Sequence, residues 1–262
     1  MIDQTLKIEI KTALKKSIRK FFKNKKVTTF HVLDYIFPVE RRIRSLIGGL
    51  ETSLGTTVWE PVAKTLAQSN GFTIVDRPLL MPDPFPKLLQ DEISELKRLR
   101  ECKTEQLSME ACVNRLKELI NSIDKSGLSY INPPSGKGVD IYLIKDDKEY
   151  VFDIKTNQPN KRAGLDLNLQ LLEWYAYRLC QAPLVEIEAR IAFPFNPYAN
   201  KSWWYANAAK VYPLEEHKDA WVQDEFWDFC SGKTNTWNDI RQIFIELGQE
   251  NFGQEFTKFF NQ

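Results

Sequence analysis

The stretch GVDIYLIKDDKEYVFDIKT, residues 138–156, decides the reading of the fold. Two alternating apolar runs flank Asp146-Asp147, the pattern of a β-hairpin with a short acidic turn. With that pair as the loop, Lys145 lies opposite Lys148, Ile144 opposite Glu149, Leu143 opposite Tyr150 and Ile141 opposite Phe152. One step further out, Asp140 faces Asp153. A loop lengthened equally on both sides keeps this register, and only a bulge or an asymmetric loop breaks it. Directly opposed residues hold their Cβ atoms roughly 4.5–5.5 Å apart, and Lys155 projects from the same face as Asp153. That face should be polar, whereas Ile141, Leu143, Tyr150, Phe152 and Ile154 occupy the other and call for an apolar layer.

Like charges directly opposed destabilise a hairpin, so an Asp-Asp pair makes physical sense with a cation between its members. Carboxylates and backbone carbonyls, without His or Cys, suit a hard divalent ion, magnesium first. A lysine beside that ion can hold a water or help deprotonate it. Spacing alone leaves a second reading equally open: a solvated strand face on which Asp153 pairs with Lys155 or Lys137 and nothing binds.

Outward from the hairpin, INPPSGKG precedes it and TNQPNKRAG follows it. A helix from about Leu165 to Cys180 and a strand near Val185 to Phe193 come next. Upstream, residues 5–22 and Pro38 to Leu54 carry helical apolar stripes. A further helix starts near Trp59, stops at Asn70-Gly71 and leads into a strand over Phe72 to Val75. RPLLMPDPFPK holds four prolines and is expected to lack regular structure. Residues 87–125 give two more helical patterns, read as an insertion, and the C-terminal part with its tryptophans reads as helices packed on the sheet. What remains is an α/β (α+β) core around one mixed sheet.

Composition bounds the function. A chain of 262 residues with 43% hydrophobic content suits one large domain. No apolar run reaches the roughly 20 residues of a membrane span and the start lacks a secretory core, which places the chain in the cytoplasm with no membrane partner. Cys102, Cys112, Cys180 and Cys230 form no C-x-x-C pair, and His31 and His217 stand alone, so zinc and His-rich metal sites are excluded, with no organic cofactor expected. Net charge is +1, but residues 1–50 hold twelve Lys/Arg against four Asp/Glu, and residues 213–262 hold four against ten. One end is thus suited to phosphates and the other unsuited, although a Lys-rich amphipathic helix is as often a solvated surface.

Asp140 followed, after an intervening segment, by Asp153-Ile154-Lys155 resembles the signature of the PD-(D/E)XK nuclease superfamily. Val139 stands where the motif name has proline. Gly55 to Ile74 looks like that fold's first helix and strand, and the element order is its αβββαβ core. A longer stretch, FHVLDYIFPVERRIRSLIGGLETSLGTTVWEPVAKTLA, is similar to type II restriction endonucleases of the TdeIII kind. The resemblance implies a single nuclease domain over 1–262, with catalytic core at 55–77 and 138–195. Around it lie a helical N-terminal region (1–54), a mainly helical insertion (78–137) and a mainly helical C-terminal region (196–262). It implies Mg2+-dependent cleavage of double-stranded DNA at a short palindrome, with GGNCC as the candidate, by a homodimer. Asp140 and Asp153 would ligate metal, with the Ile154 carbonyl a further ligand. Lys155 would position water, and Glu60 would be an outer or second-metal ligand, with Glu51 its competitor.

Asn157, Gln158, Asn160, Lys161 and Arg162, just past the catalytic strand, are residue types that contact base edges or phosphates, and equally those of a solvated turn. Arg41, Arg42 and Arg44 offer a second basic group. Two alternatives stay open: a structure-specific nuclease of repair or recombination, and a catalytically silent DNA-binding module of the same fold.

Overall fold

The structure, a computed structural model, describes residues 1–27, 31–155, 158–198 and 201–260. It divides into two compact units, residues 1–70 with 227–262, and residues 71–226.

The first unit opens with α1 (Gln4–Asn24), α2 (Pro38–Leu54) and α3 (Glu60–Ser69). Asp3 caps α1 by accepting the Leu6 amide at 2.9 Å, and Leu6, Ile10, Leu14 and Phe22 form its buried stripe. Pro38, whose lost N–H is no cost in a first turn, starts α2 at the expected residue. Between α2 and α3, Gly55–Trp59 form a π-helical turn. The chain leaves α3 through Gly71 at φ +82°, a left-handed position that glycine adopts without penalty.

The second unit runs β1 (Thr73–Ile74), β2 (Met81–Asp83), α4 (Lys87–Arg100), α5 (Met109–Ser122) and β3 (Ser129–Ile131). Then come β4 (Ile141–Lys145), β5 (Lys148–Ile154), α6 (Ala163–Gln181), β6 (Glu186–Phe193), α7 (Trp203–Val211) and β7 (Ala220–Val222). The chain re-enters the first unit along α8 (Asp224–Ser231) and α9 (Thr236–Gln249). Among the described residues the main sheet has the order β1-β4-β5-β6-β7. β4 is antiparallel to β1 and β5, whereas β6 is parallel to β5 and β7. Parallel β5 and β6 need a crossover, which α6 provides. The fold is therefore α+β with a mixed sheet flanked by helices, and α3, β1, β4, β5, α6, β6 follow the expected αβββαβ order.

The hairpin register is the expected one, from Lys145↔Lys148 to Ile141↔Phe152. Asp146 and Asp147 both have positive φ, 51° and 61°, as a two-residue type I′ turn requires. Three features differ from the sequence reading. Met81–Asp83, inside the proline-rich segment expected to be irregular, pairs antiparallel with β3. Pro82 is tolerated there because a two-stranded ribbon has an outer side where a missing N–H breaks no ladder bond. In the C-terminal region β7 extends the sheet; three residues are too few to show a period. The face of the hairpin marked as polar is covered as well: Tyr142 and Val151 are buried in one core with Leu171 and Trp174 of α6. A crossover helix lies on that face by topology, which strand alternation cannot report.

Ile141, Leu143 and Phe152 fill the opposite layer, with Phe152 against Trp221 and Phe226 at ring separations of 5.7 and 5.3 Å. On the α6 side Arg178 makes two bonds of 2.6 Å to Glu149, which also accepts the Tyr142 hydroxyl at 2.5 Å. The α4 helix is tied down by Arg100, fully buried at its end. It donates to Asn168 of α6 at 2.6 Å and pairs with Asp219 just before β7. At the start of α6, Gly164 allows close approach: a Cβ there would lie 2.1 Å from the Tyr212 carbonyl oxygen.

The left-handed turn generates one prediction. Replacing Asp146-Asp147 by Asn-Gly should raise the unfolding free energy by about 1 kcal/mol, since glycine removes the steric cost of positive φ. Urea titration measures it, and an unchanged midpoint would contradict the turn type.

Candidate active site

Asp153 lies on β5 and is only 4% exposed, so its carboxylate is held by the strand rather than by solvent. Lys155, the first residue past β5, donates its amide to the Ala192 carbonyl at 3.0 Å, and its Nζ lies 2.5 Å from Asp153 Oδ2. Asp140 sits just ahead of β4. Its amide donates to Phe152 O at 2.9 Å, and its Oδ2 accepts the Ile154 amide at 2.7 Å. The Asp140 carboxylate thus stands in for a backbone acceptor at the open end of the hairpin. Asp140, Asp153, Ile154 and Lys155 are brought together on one strand pair.

Burial pushes the Asp153 carboxyl up to about 7; Lys155 opposes the shift and the neighbouring Asp140 carboxyl adds to it. Sequence reading missed a further partner, Gln170 of α6, which is buried and donates its amide to Asp153 Oδ2 at 3.1 Å. A signal was present: in LDLNLQLLEWY the amides Asn168 and Gln170 alternate with Leu167, Leu169 and Leu171, and both are buried. A cavity of about 470 Å³ opens beside these groups, lined by Lys137, Lys155, Asn160, Asp166, Gln170 and Phe193. Lys137 is set by Trp174, whose indole N–H donates to its carbonyl at 2.9 Å, and its ammonium lies 3.3 Å from Glu173.

The other expected residues belong to the first unit or to the loop after β5. Glu60 starts α3 in the first unit, where its carboxylate pairs with Lys64 at 2.7 Å; Glu51 is exposed on α2. In the loop after β5, Gln158, Lys161 and Arg162 are exposed. Asn160 serves the turn into α6, its side chain accepting the Arg162 amide at 3.0 Å. Asn157 lies outside the described residues. Arg41 pairs with Asp34 at 3.3 Å, and Arg42 donates to the Phe259 carbonyl at 2.6 Å, so both are engaged locally.

Among the described residues no three His, Cys, Asp or Glu side chains close on a common point. The donors present are two carboxylates and the Ile154 carbonyl, a set that fits an ion retaining several waters, as magnesium does. Among the described residues no helix is long and apolar enough to cross a membrane.

A family model described as "Type II restriction endonuclease, HinfI" matches residues 1–248. The type II restriction enzyme MjaII of Methanocaldococcus jannaschii is 22% identical over 223 residues, covering 79% of this chain and 55% of that enzyme. HgiCII and HgiEI of Herpetosiphon aurantiacus, also type II restriction enzymes, are 27% and 26% identical over 143 and 137 residues. Those alignments cover 54% and 52% of this chain and 50% and 48% of the two enzymes. The chain spans about half the length of these curated relatives. No solved structure matches it.

The Gln170 contact is open to test. Gln170→Leu removes a donor from a buried carboxyl and should lower the unfolding free energy by about 1–2 kcal/mol. Equal stability of the variant and wild type in urea would show that the contact carries no weight.

Proposed function

The chain belongs to the HinfI type II restriction endonuclease family, and from that membership we propose that it hydrolyses phosphodiester bonds of double-stranded DNA at a short palindromic site. The observation that carries this reading is the convergence of Asp140, Asp153 and Lys155 on a rigid strand pair beside an open, lysine-lined cavity. Asp140, Asp153 and the Ile154 carbonyl are the groups that would hold Mg2+, which when bound would supply Lewis-acid neutralisation of charge on the scissile phosphate. Lys155 orients the attacking water, and the parallel ladder to β6 keeps its backbone in place. Gln170 acts through Asp153 as a positioning residue, keeping one carboxylate oxygen in a fixed direction.

Gln158, Lys161 and Arg162, with Asn157 and Asn160, form the DNA-contacting loop; its support is the exposure of Gln158, Asn160, Lys161 and Arg162 immediately after β5. GGNCC is the candidate site, supported by the TdeIII resemblance, and a homodimer is the assembly whose two-fold symmetry matches a palindrome.

Asp140→Ala and Lys155→Ala should each slow magnesium-dependent plasmid cleavage about 10³-fold or more while leaving the circular dichroism spectrum unchanged. Full activity in both would exclude this site. Wild-type digestion of a plasmid of known sequence should give discrete bands whose ends map to one palindrome, and a smear would argue against sequence recognition.

A further inference from the structure

The basic N-terminal segment does not present all its charge to solvent. On α1, Lys7, Lys11, Lys15 and Arg19 follow one another at four-residue steps and form one stripe. Each is neutralised by an acid from the C-terminal part of the same unit. Lys7 pairs with Asp239 at 2.7 Å, Lys11 with Glu246 and Glu250 at 2.8 and 2.6 Å, Lys15 with Glu250 at 2.6 Å, and Arg19 with Glu255 at 2.7 Å. Lys16, Lys20, Lys23 and Lys25 are exposed and, among the described residues, have no such carboxylate.

Two of these unpaired lysines line a cleft of about 430 Å³ within the first unit, together with Ser17, Asn24, Thr56 and Thr57. Its lining holds two ammonium groups, three hydroxyls, one amide and the ring of Phe21, with no acid. The π-helical turn contributes consecutive threonines to one wall, while its Val58 and Trp59 are buried. Gly49 of α2 leaves room for Lys25: a Cβ there would lie 3.1 Å from Lys25 Cε and 3.4 Å from its Nζ. Lysine, hydroxyl and amide donors without an acid are the set that grips phosphate oxygens irrespective of base sequence.

We propose that the cleft between α1 and the Gly55–Trp59 turn is a sequence-independent binding site for backbone phosphates of duplex DNA, with Lys20 and Lys25 as its charged contacts. The inference rests on the reading of the chain as a DNA-cleaving enzyme and adds a site remote in sequence from Asp140, Asp153 and Lys155. Its occupant is the duplex rather than a free nucleotide, because the lining offers no acid to accept from a ribose and only one aromatic ring.

The test is fluorescence anisotropy of the full chain with a short labelled duplex lacking GGNCC, in EDTA, across a series of NaCl concentrations. For Lys20→Gln/Lys25→Gln the slope of log Kobs against log salt should become shallower by about 2, and affinity at moderate salt should fall about tenfold. Lys11→Gln, on the paired stripe, should keep the wild-type slope. Lys20→Arg/Lys25→Arg should restore binding. An unchanged slope in the Gln pair, or no recovery in the Arg pair, overturns the site while wild-type plasmid cleavage stands. A wild-type chain that neither binds nor cuts duplex overturns this inference and the nuclease reading together.

Discussion

β5 is clamped on both edges, antiparallel to β4 and parallel to β6, and the geometry of the candidate site follows from that clamp. The parallel pairing obliges the chain to return through α6, which brings Gln170 over the strand and buries Asp153. A carboxylate in such a place loses hydration that Lys155 and Gln170 only partly replace, which is why its proton is held up to about neutral pH. The same covering gives the site its rigidity. A group on a strand bonded at both edges has little freedom to drift, and hydrolysis by in-line attack is sensitive to displacements of an ångström.

How much of this was legible in the sequence depended on the range of the interaction. The hairpin register is local, set by Asp146-Asp147 and the alternation around them, and it held from Lys145 to Ile141. The start of α2 at Pro38 and the stop of α3 at Asn70-Gly71 were likewise written in capping chemistry. Beyond the ladder, Asp140 leaves the strict register and spends its carboxylate on the Ile154 amide, a choice made by the end of the strand and invisible to pairing arithmetic. β2 and β7, three residues each, exist because a partner strand is present, and no periodicity marks them. The burial of the Asp153 face is a property of the crossover, not of the strand.

Charge behaved in a similar way. The contrast between the two ends of the chain suggested that one approaches phosphates and the other keeps away. In the first unit the two ends neutralise each other along α1, with acids from α9 and the segment after it opposite the lysine stripe. Asp239 is buried, but the acids at Glu246, Glu250 and Glu255 are exposed, and pairs of that kind contribute little stability each and weaken with salt. Their effect is to subtract: what a linear count reports as a broadly basic helix is, in three dimensions, one neutral edge and one basic edge. A net charge of +1 is therefore compatible with a strongly positive local surface.

Gly164 carries a consequence for altering the loop after β5, the segment proposed to contact DNA. With the Tyr212 carbonyl oxygen 2.1 Å from where a Cβ would stand, the second residue of α6 admits no side chain unless the helix itself moves. Because α6 carries Gln170, such a movement would reach Asp153. Randomising the loop after β5 is thus a bounded exercise. Positions 158, 161 and 162, exposed in this structure, can be varied for contact with a substrate, while 164 marks where diversity in the loop becomes damage to the helix behind it.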